Sequence, residues 1–196
     1  MPTIYFVRDG LSKSQGTNGS GGVWNRYAPL SEEGAAQAEC VRTLLQSRGC
    51  DFRAARVPHI RRAAQTADII VGGRIPVIES DLVGPDIEAD ALWGAAMAAA
   101  EDATSEVARI DRIRQGFMPL LVTHRRRVLL AIEELVGPLP EFGSALVVSI
   151  EPVIWLALVS IQGASLDQVP ATVLPRGSVY AVQFSDRRYV AHSCWA

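Results

Sequence analysis

The sequence predicts an α/β fold built on a mostly parallel central sheet. Residues 3–7 (TIYFV) are all β-branched or aromatic, and residues 145–148 (ALVV) form a second run without a polar break. Such runs are typical of strands buried on both faces of a parallel sheet. The 196 residues, of which 48% are hydrophobic, suit a single domain over residues 1–196 with a substantial core.

Charge and cysteine content restrict the function classes. A net charge of -2 and a pI near 5.9 provide no general attraction for nucleic acid or an anionic membrane, so any anion site must be local. Three unevenly spaced cysteines fit neither a disulfide framework nor a zinc pattern. Because the sequence has neither a signal-like segment nor an apolar run of about 18 residues, we expect a cytoplasmic protein. We also expect no metal and no cofactor.

The first strand ends in a polar turn. Arg8 and Asp9 follow the apolar run directly, and Gly10 allows the backbone to turn sharply. In open α/β sheets, ligands bind in the crevice outside the carboxyl ends of the strands. An arginine at this position favours an anion, and this turn is therefore the first candidate site.

The next segment combines a loop with a capped helix. Residues 11–28 are rich in glycine and serine and are expected to form a loop over the carboxyl edge of the sheet. Trp24 and Tyr27 in this loop either anchor it to the body or face a substrate. Ser31 is a natural N-cap, with apolar residues at helical spacing after it.

The middle of the chain is predicted to contain two short strands and a long helical region. Short strands are expected at residues 51–57 and 75–78, and residues 89–137 are rich in helix formers, with Pro119 as a break. The arginines at 125–127 indicate a solvated helix face. His124, beside them, is expected to be a histidine on the helix surface.

Several segments together resemble the histidine phosphatase superfamily, the phosphoglycerate mutase-like proteins. The resemblance extends from Thr3 to about Phe184, and its segments occur in the family's order. It implies a three-layer sandwich, with helices on both faces of the mostly parallel sheet. The segments that carry it are residues 3–10 (TIYFVRDG), 29–38 (PLSEEGAAQA), 62–67 (RAAQTA), 144–154 (SALVVSIEPVI) and 175–180 (PRGSVY).

The resemblance also implies a pocket. Arg8 and Arg62 match the family's phosphate arginines, although one extra residue after Pro58 leaves Arg61 as a rival for the second position. Asp9 stands where the family has its nucleophilic histidine. The family's proton donor comes from the region that here contains four acidic residues, among which the sequence does not choose: Glu79, Asp81, Asp86 and Glu88.

The second pocket histidine of the family is also replaced. Ile150 occupies its place, and Glu151 follows in the same motif as a further binding residue. A competing alignment puts this histidine at His124, but that residue lies too far before the strand at 177–179. Trp24 is the aromatic residue expected at the same pocket.

These replacements remove the family's chemistry. Phosphohistidine formation needs a neutral imidazole aimed at phosphorus, with cations around the spreading charge. Ionised Asp9 instead repels a phosphate by roughly 4 kcal/mol at about 4 Å and an effective dielectric of about 20. Ile150 can neither donate a hydrogen bond nor carry charge. We expect phosphate affinity to fall sharply.

Three functions follow from the sequence. The first is an enzyme in which Asp9 is the catalytic acid or base and Ile150 an apolar wall, suited to lyase, cyclase, isomerase or dehydratase chemistry on a small organic substrate. The second is a non-catalytic pseudophosphatase that binds a metabolite or a protein. The third and weakest is residual phosphomonoesterase activity. We expect a small-molecule ligand and leave self-association open.

Overall fold

A computed structural model describes residues 1–13, 25–84, 106–164 and 174–195. Six strands form one sheet in the order β3, β2, β4, β1, β5, β6. The strands are β1 (Thr3–Arg8), β2 (Phe52–Val57), β3 (Val77–Glu79), β4 (Ser144–Ser149), β5 (Val179–Ser185) and β6 (Arg188–Trp195).

The sheet is parallel over its first four strands. β2 pairs in parallel with both β3 and β4, and β4 pairs in parallel with β1. β5 then runs antiparallel to β1, and β6 antiparallel to β5. The carboxyl ends of β1 and β4 therefore meet the amino end of β5 at one edge of the sheet. This edge is where the candidate site lies.

In the part of the chain that the structure describes, four helices and one short turn of 3-10 helix accompany the sheet. Packing of α1 against α2 and of α3 against α4 gives the helical layers of the sandwich. The 3-10 turn spans Asp81–Val83. The helices are α1 (Glu32–Ser47), α2 (Arg61–Val71), α3 (Glu106–Val136) and α4 (Glu151–Ile161).

The predicted strands and the first helix are confirmed. β4 is buried at all six positions, as its uninterrupted apolar run indicates. Ser31 caps α1, since its hydroxyl oxygen accepts a 3.0 Å hydrogen bond from the Gly34 amide. The hydroxyl also donates to the Leu11 carbonyl oxygen at 3.2 Å, so it fixes the start of α1 against the turn after β1.

One expectation about the later chain is wrong. α3 continues through Pro119, because a proline removes only one hydrogen bond from this 31-residue helix. Beyond β5 the chain adds one more strand to the sheet. It turns at Asp186 and Arg187, both with positive φ, and returns as β6. Two consecutive positive φ values are the signature of a tight hairpin turn.

Candidate functional site

The candidate site lies where β1 and β4 end side by side. Arg8 and Ser149, the last residues of the two strands, are register partners. The Asp9 amide donates to the Ser149 carbonyl oxygen at 3.0 Å, which continues the ladder by one residue. The Gly177 amide donates to the Arg8 carbonyl oxygen at 3.3 Å, so the segment before β5 is held at the same edge.

Asp9 is the centre of the site and is buried, with 1% of its surface exposed. Arg62 Nε donates to its Oδ2 at 2.5 Å, and Arg176 Nη1 donates to its Oδ1 at 3.1 Å. Each carboxylate oxygen thus has its own guanidinium. Charge-assisted bonds of this kind are the strong class of hydrogen bond, and they offset the cost of burying the carboxylate.

Arg62 reaches Asp9 from the first turn of α2. It is 4% exposed, whereas the neighbouring Arg61 is exposed, so the structure brings Arg62 and not Arg61 to the site. Arg62 Nη1 also donates to the Asn25 carbonyl oxygen at 3.2 Å. One turn later, the Thr66 hydroxyl oxygen accepts from the Gly10 amide at 3.2 Å, which ties α2 to the turn after β1.

Arg176 is a site residue that the sequence analysis missed. Besides Asp9 Oδ1, its Nη1 donates to the carbonyl oxygens of Asp9 and Gly10, at 3.3 and 3.1 Å. The available signal was its place just before a strand that runs antiparallel to β1. A residue that enters such a strand stands at the same sheet edge as the residues that leave β1.

The electrostatic surroundings of Arg176 are unusual for an arginine. Burial lowers the pKa of its guanidinium to about 10; Asp9 acts in the opposite direction, and Arg8 and Arg62 lower it further. At neutral pH the group remains protonated. The low value follows mainly from the burial of this guanidinium.

Arg8 pairs with a different carboxylate. Its Nη2 lies 3.0 Å from Glu151 Oε2, at the first residue of α4. Glu151 Oε1 accepts from the Leu174 amide at 2.8 Å, and Arg8 Nη1 donates to the Leu174 carbonyl oxygen. The pair therefore holds both backbone groups of Leu174. Three arginines and two carboxylates leave the five-residue cluster with a formal charge of +1.

Ile150 lies at the N-cap of α4 and is 4% exposed. Its side chain cannot cap the helix; its carbonyl oxygen accepts from the Val153 and Ile154 amides at 3.1 and 3.2 Å. The side chain belongs to the hydrophobic core. At this position the chain therefore has a buried apolar side chain that contributes to packing.

The other predicted pocket residues that the structure describes are not brought to Asp9. Glu79 and Asp81 are about half exposed and face His59, at 2.7 Å from Nδ1 and 3.4 Å from Nε2. Tyr27 is 74% exposed. Trp24, Asp86 and Glu88 lie outside the described residues.

The expectation that His124 is a surface histidine is wrong. It is 2% exposed, and its Nε2 is hydrogen-bonded to the Gly84 carbonyl oxygen. The Ser149 hydroxyl donates to the neighbouring Val83 carbonyl oxygen at 2.6 Å. Together these bonds fasten the segment after β3 to α3 and to the end of β4. His124 is therefore buried although the arginines that follow it are polar, and its ring nitrogen is the hydrogen-bond partner of the Gly84 carbonyl oxygen.

Among residues 1–13, 25–84, 106–164 and 174–195, no three histidine, cysteine or acidic side chains are grouped as metal ligands would be. Within the same ranges, no helix combines the length and the apolar character that crossing a membrane requires.

Comparison with solved structures shows the same fold throughout. YhfR of Bacillus stearothermophilus is 18% identical with a TM-score of 0.71, over 97% of this chain and 95% of that one. Phosphoglycerate mutase of Bacillus anthracis is 20% identical with a TM-score of 0.67, over 96% and 90%. A mycobacterial glucosyl-3-phosphoglycerate phosphatase complexed with VO3 is 21% identical with a TM-score of 0.59, over 98% and 96%.

Sequence comparison gives the family. A search of curated protein sequences finds no match. The sequence pattern of the histidine phosphatase superfamily (branch 1), however, matches residues 4–195, which is almost the whole chain. With the parallel sheet and the arginines at the end of β1 and the start of α2, this match shows that the chain belongs to the histidine phosphatase superfamily.

Proposed function

We propose that this protein is a pseudophosphatase that binds a small ligand without transforming it. The observation that carries the proposal is the pairing of Asp9, whose two carboxylate oxygens are bound by Arg62 and Arg176. Asp9 gives these arginines the negative charge that a bound oxyanion would supply. The positive charge of the site is thereby partly neutralised from within.

The site lacks a suitable reacting group for phosphatase chemistry. A carboxylate held by two guanidiniums is a weak nucleophile, and its charge opposes the approach of a phosphate dianion. Ile150 adds no donor that could stabilise charge in a transition state. With a formal charge of +1, the five-residue cluster suits a ligand with at most one negative charge. A carboxylate-bearing metabolite has that charge.

Acid or base catalysis by Asp9 is less well supported. A general acid or base must reach the proton it transfers, within hydrogen-bond distance of the substrate. Asp9 is 1% exposed, and both its oxygens are already occupied. The pairing gives Asp9 a role in holding the arginines. A binding function does not require these ion pairs to break or to exchange a proton.

The relatives indicate a direct test with oxyanions. One structural neighbour is complexed with VO3 and another, the protein histidine phosphatase SixA, with tungstate. In this chain we expect Asp9 to compete with such an ion for Arg62 and Arg176. Removing its charge while keeping its shape, as in Asp9→Asn, should open the site to tungstate.

The experiment measures tungstate affinity by calorimetry, together with phosphate release from a panel of phosphomonoesters. We expect Asp9→Asn to bind tungstate at least about tenfold more tightly than the unaltered protein, since one like charge is removed. The matched control is Asp51→Asn, which removes an exposed carboxylate paired with Arg53. The unaltered protein should release no phosphate above background, whereas Asp9→His combined with Ile150→His tests whether the pocket regains turnover.

Two results would contradict the proposal. One is hydrolysis of phosphomonoesters by the unaltered protein at ordinary enzymatic rates. The other is consumption of a metabolite, when the protein is incubated with a metabolite extract, that disappears in Asp9→Asn. A binding protein should instead retain its ligand with unchanged mass, as mass spectrometry of the bound fraction can show.

A further inference from the structure

A second group of polar side chains lies at the carboxyl ends of β2 and β3 and shares no residue with the Asp9 site. It consists of His59, which follows β2 by two positions, Glu79, the last residue of β3, and Asp81, the first residue of the 3-10 turn. We call these three residues the His59 cluster. Their side chains are 39%, 52% and 51% exposed, so ions in solution can reach them.

The backbone on both sides of the His59 cluster is held by hydrogen bonds. The Ile60 amide donates to the Pro58 carbonyl oxygen at 2.6 Å, which closes a tight three-residue turn around His59. On the other side, Arg127 Nη2 donates to the Asp81 carbonyl oxygen at 2.9 Å and connects the 3-10 turn to α3. The side chains of the cluster therefore start from fixed backbone positions, as a binding site requires.

The hydrogen bond between His59 and Glu79 determines which ring nitrogen is available. His59 Nδ1 lies 2.7 Å from Glu79 Oε2. Because an ionised carboxylate can only accept, Nδ1 carries the proton, and in the neutral ring Nε2 is then an acceptor. Asp81 Oδ1, a second acceptor, lies 3.4 Å from Nε2. Two acceptors that face each other repel unless a positively charged species joins them.

The distance between these two atoms distinguishes a proton from a metal ion. N–H···O hydrogen bonds are about 2.7–3.2 Å long, and the 3.4 Å between His59 Nε2 and Asp81 Oδ1 exceeds this range. Zinc lies about 2.0–2.2 Å from nitrogen and oxygen ligands, so two ligands at the tetrahedral angle are about 3.4 Å apart. Octahedral coordination with the same bond lengths needs only about 2.9 Å. The two atoms thus have the spacing of neighbouring zinc ligands.

We propose that His59 and Asp81 bind a zinc ion, through Nε2 and Oδ1, and that water completes the tetrahedron. Glu79 is a positioning residue: it does not contact the metal but holds the ring through Nδ1, as carboxylates commonly do for metal-binding histidines. A neutral imidazole together with a carboxylate suits zinc, whereas magnesium and calcium take oxygen ligands. The charge of the ion also balances the charges of the two carboxylates in the cluster.

The zinc site should be of moderate affinity and sensitive to acid. Two side chains bind the ion, fewer than in the closed sites where zinc has a structural role. Binding also requires Nε2 without a proton, so acid competes with the metal. The proposal departs from the sequence-based expectation of no metal, because 20 positions separate His59 from Glu79 and no short motif connects them. It does not depend on which ligand the Asp9 site takes.

The test uses the full chain without an affinity tag, titrated with zinc chloride at about pH 7.5, where an ordinary imidazole is neutral. Calorimetry should give a Kd between about 1 and 100 µM. The chain has three histidines, so NMR of the ring nitrogens can follow each one. Zinc should shift the Nε2 signal of His59 and leave His192, whose Nδ1 lies 2.6 Å from the Tyr189 hydroxyl oxygen, unchanged. Magnesium at the same concentration should shift neither signal.

Three substitutions in the cluster test the role of each residue. His59→Gln and Asp81→Asn should each weaken zinc binding at least about tenfold, since each removes one of two ligands. Glu79→Gln keeps an acceptor for Nδ1 but loses the charge, and should weaken binding about tenfold. Without metal, the ring in this variant should also lose its preference for a proton on Nδ1, which a purely structural role would not change. The matched controls, His192→Gln on β6 and Asp51→Asn before β2, should bind zinc like the unaltered protein.

Zinc binding that depends on all three residues of the cluster would support the proposal. It would be overturned by the absence of heat and of signal shifts up to about 1 mM zinc. A His59 ring that carries both protons at about pH 7.5 in the metal-free protein would also overturn it, as would zinc binding that neither His59→Gln nor Asp81→Asn weakens. Circular dichroism verifies that each variant keeps its fold, which substitutions at half-exposed positions should not disturb.

Discussion

At the scale of single residues, the central feature of the site is the buried carboxylate of Asp9. A carboxylate buried at the end of a strand is costly unless it is paired and hydrogen-bonded. Arg62 and Arg176 pair with this carboxylate, although they are far apart in the sequence: one lies at the start of α2 and the other just before β5. Asp9 therefore contributes to the stability of the site.

Replacing Asp9 by asparagine should destabilise the fold. The change leaves two buried guanidiniums without their counterion, and breaking a buried pair from one side costs about 3 kcal/mol. Asp51→Asn breaks only an exposed pair and should change the free energy of unfolding by less than about 0.5 kcal/mol. Urea denaturation in chloride buffer measures both. Equal effects of the two substitutions would show that Asp9 is not held as described.

At the scale of elements, the β5 and β6 hairpin completes the antiparallel side of the sheet. Tyr180 on β5 is the register partner of Cys194 on β6. Burial, followed by a hydrogen bond to the Cys194 thiol, raises the pKa of Tyr180 to about 12. The hairpin therefore keeps this tyrosine protonated at a pH where a free tyrosine ionises.

This shift gives stability a defined pH dependence. A tyrosine whose pKa is higher in the folded than in the unfolded state, here about 12 against 10.0, binds its proton more tightly when folded. Its contribution is complete below pH 10 and is lost as the pH rises towards 12. Between pH 10 and 12, the Tyr180→Phe variant should lose less stability than the unaltered protein. The Tyr27→Phe variant, changed at a 74% exposed position, should lose as much stability as the unaltered protein. Denaturation at a series of alkaline pH values makes the comparison, and parallel curves for all three proteins would argue against the shift.

At the scale of the whole molecule, β4 lies at the centre of the sheet and of the core. It is hydrogen-bonded to β1 on one side and β2 on the other, and every residue in it is buried. Two arginines of the site, Arg8 on β1 and Arg62 on α2, are positioned by elements that contact this strand. Packing around β4 therefore sets the geometry of the site.

Truncation of β4 should accordingly be severe. Leu146 is fully buried, and Leu146→Ala is expected to lower the free energy of unfolding by about 3 kcal/mol through lost burial and an unfilled cavity. Ile78→Ala removes a similar side chain from the edge strand β3, where it is 45% exposed, and should cost less than half as much. Thermal and urea unfolding of the two variants give the ratio. A comparable loss for both would mean that β4 is not the centre of the core.

The sequence by itself determined the features that depend on near neighbours. The apolar runs predicted β1 and β4 because burial on both faces requires them, and Ser31 predicted the start of α1 because a cap acts within three residues. The same local patterns located Arg8 and Asp9 at the end of the first strand. The family resemblance came from such segments in order along the chain.

Only the tertiary structure decided which distant residues meet. Arg176 contacts Asp9 across 167 positions, and the choice of Arg62 over Arg61 depends on which side of α2 faces β1. The burial of His124 likewise depends on Gly84, 40 residues away. Periodicity and capping extend over only a few residues, whereas these contacts are set by strand order and by the edge at which each element ends. That is why the arginine site around Asp9 could be anticipated only in part.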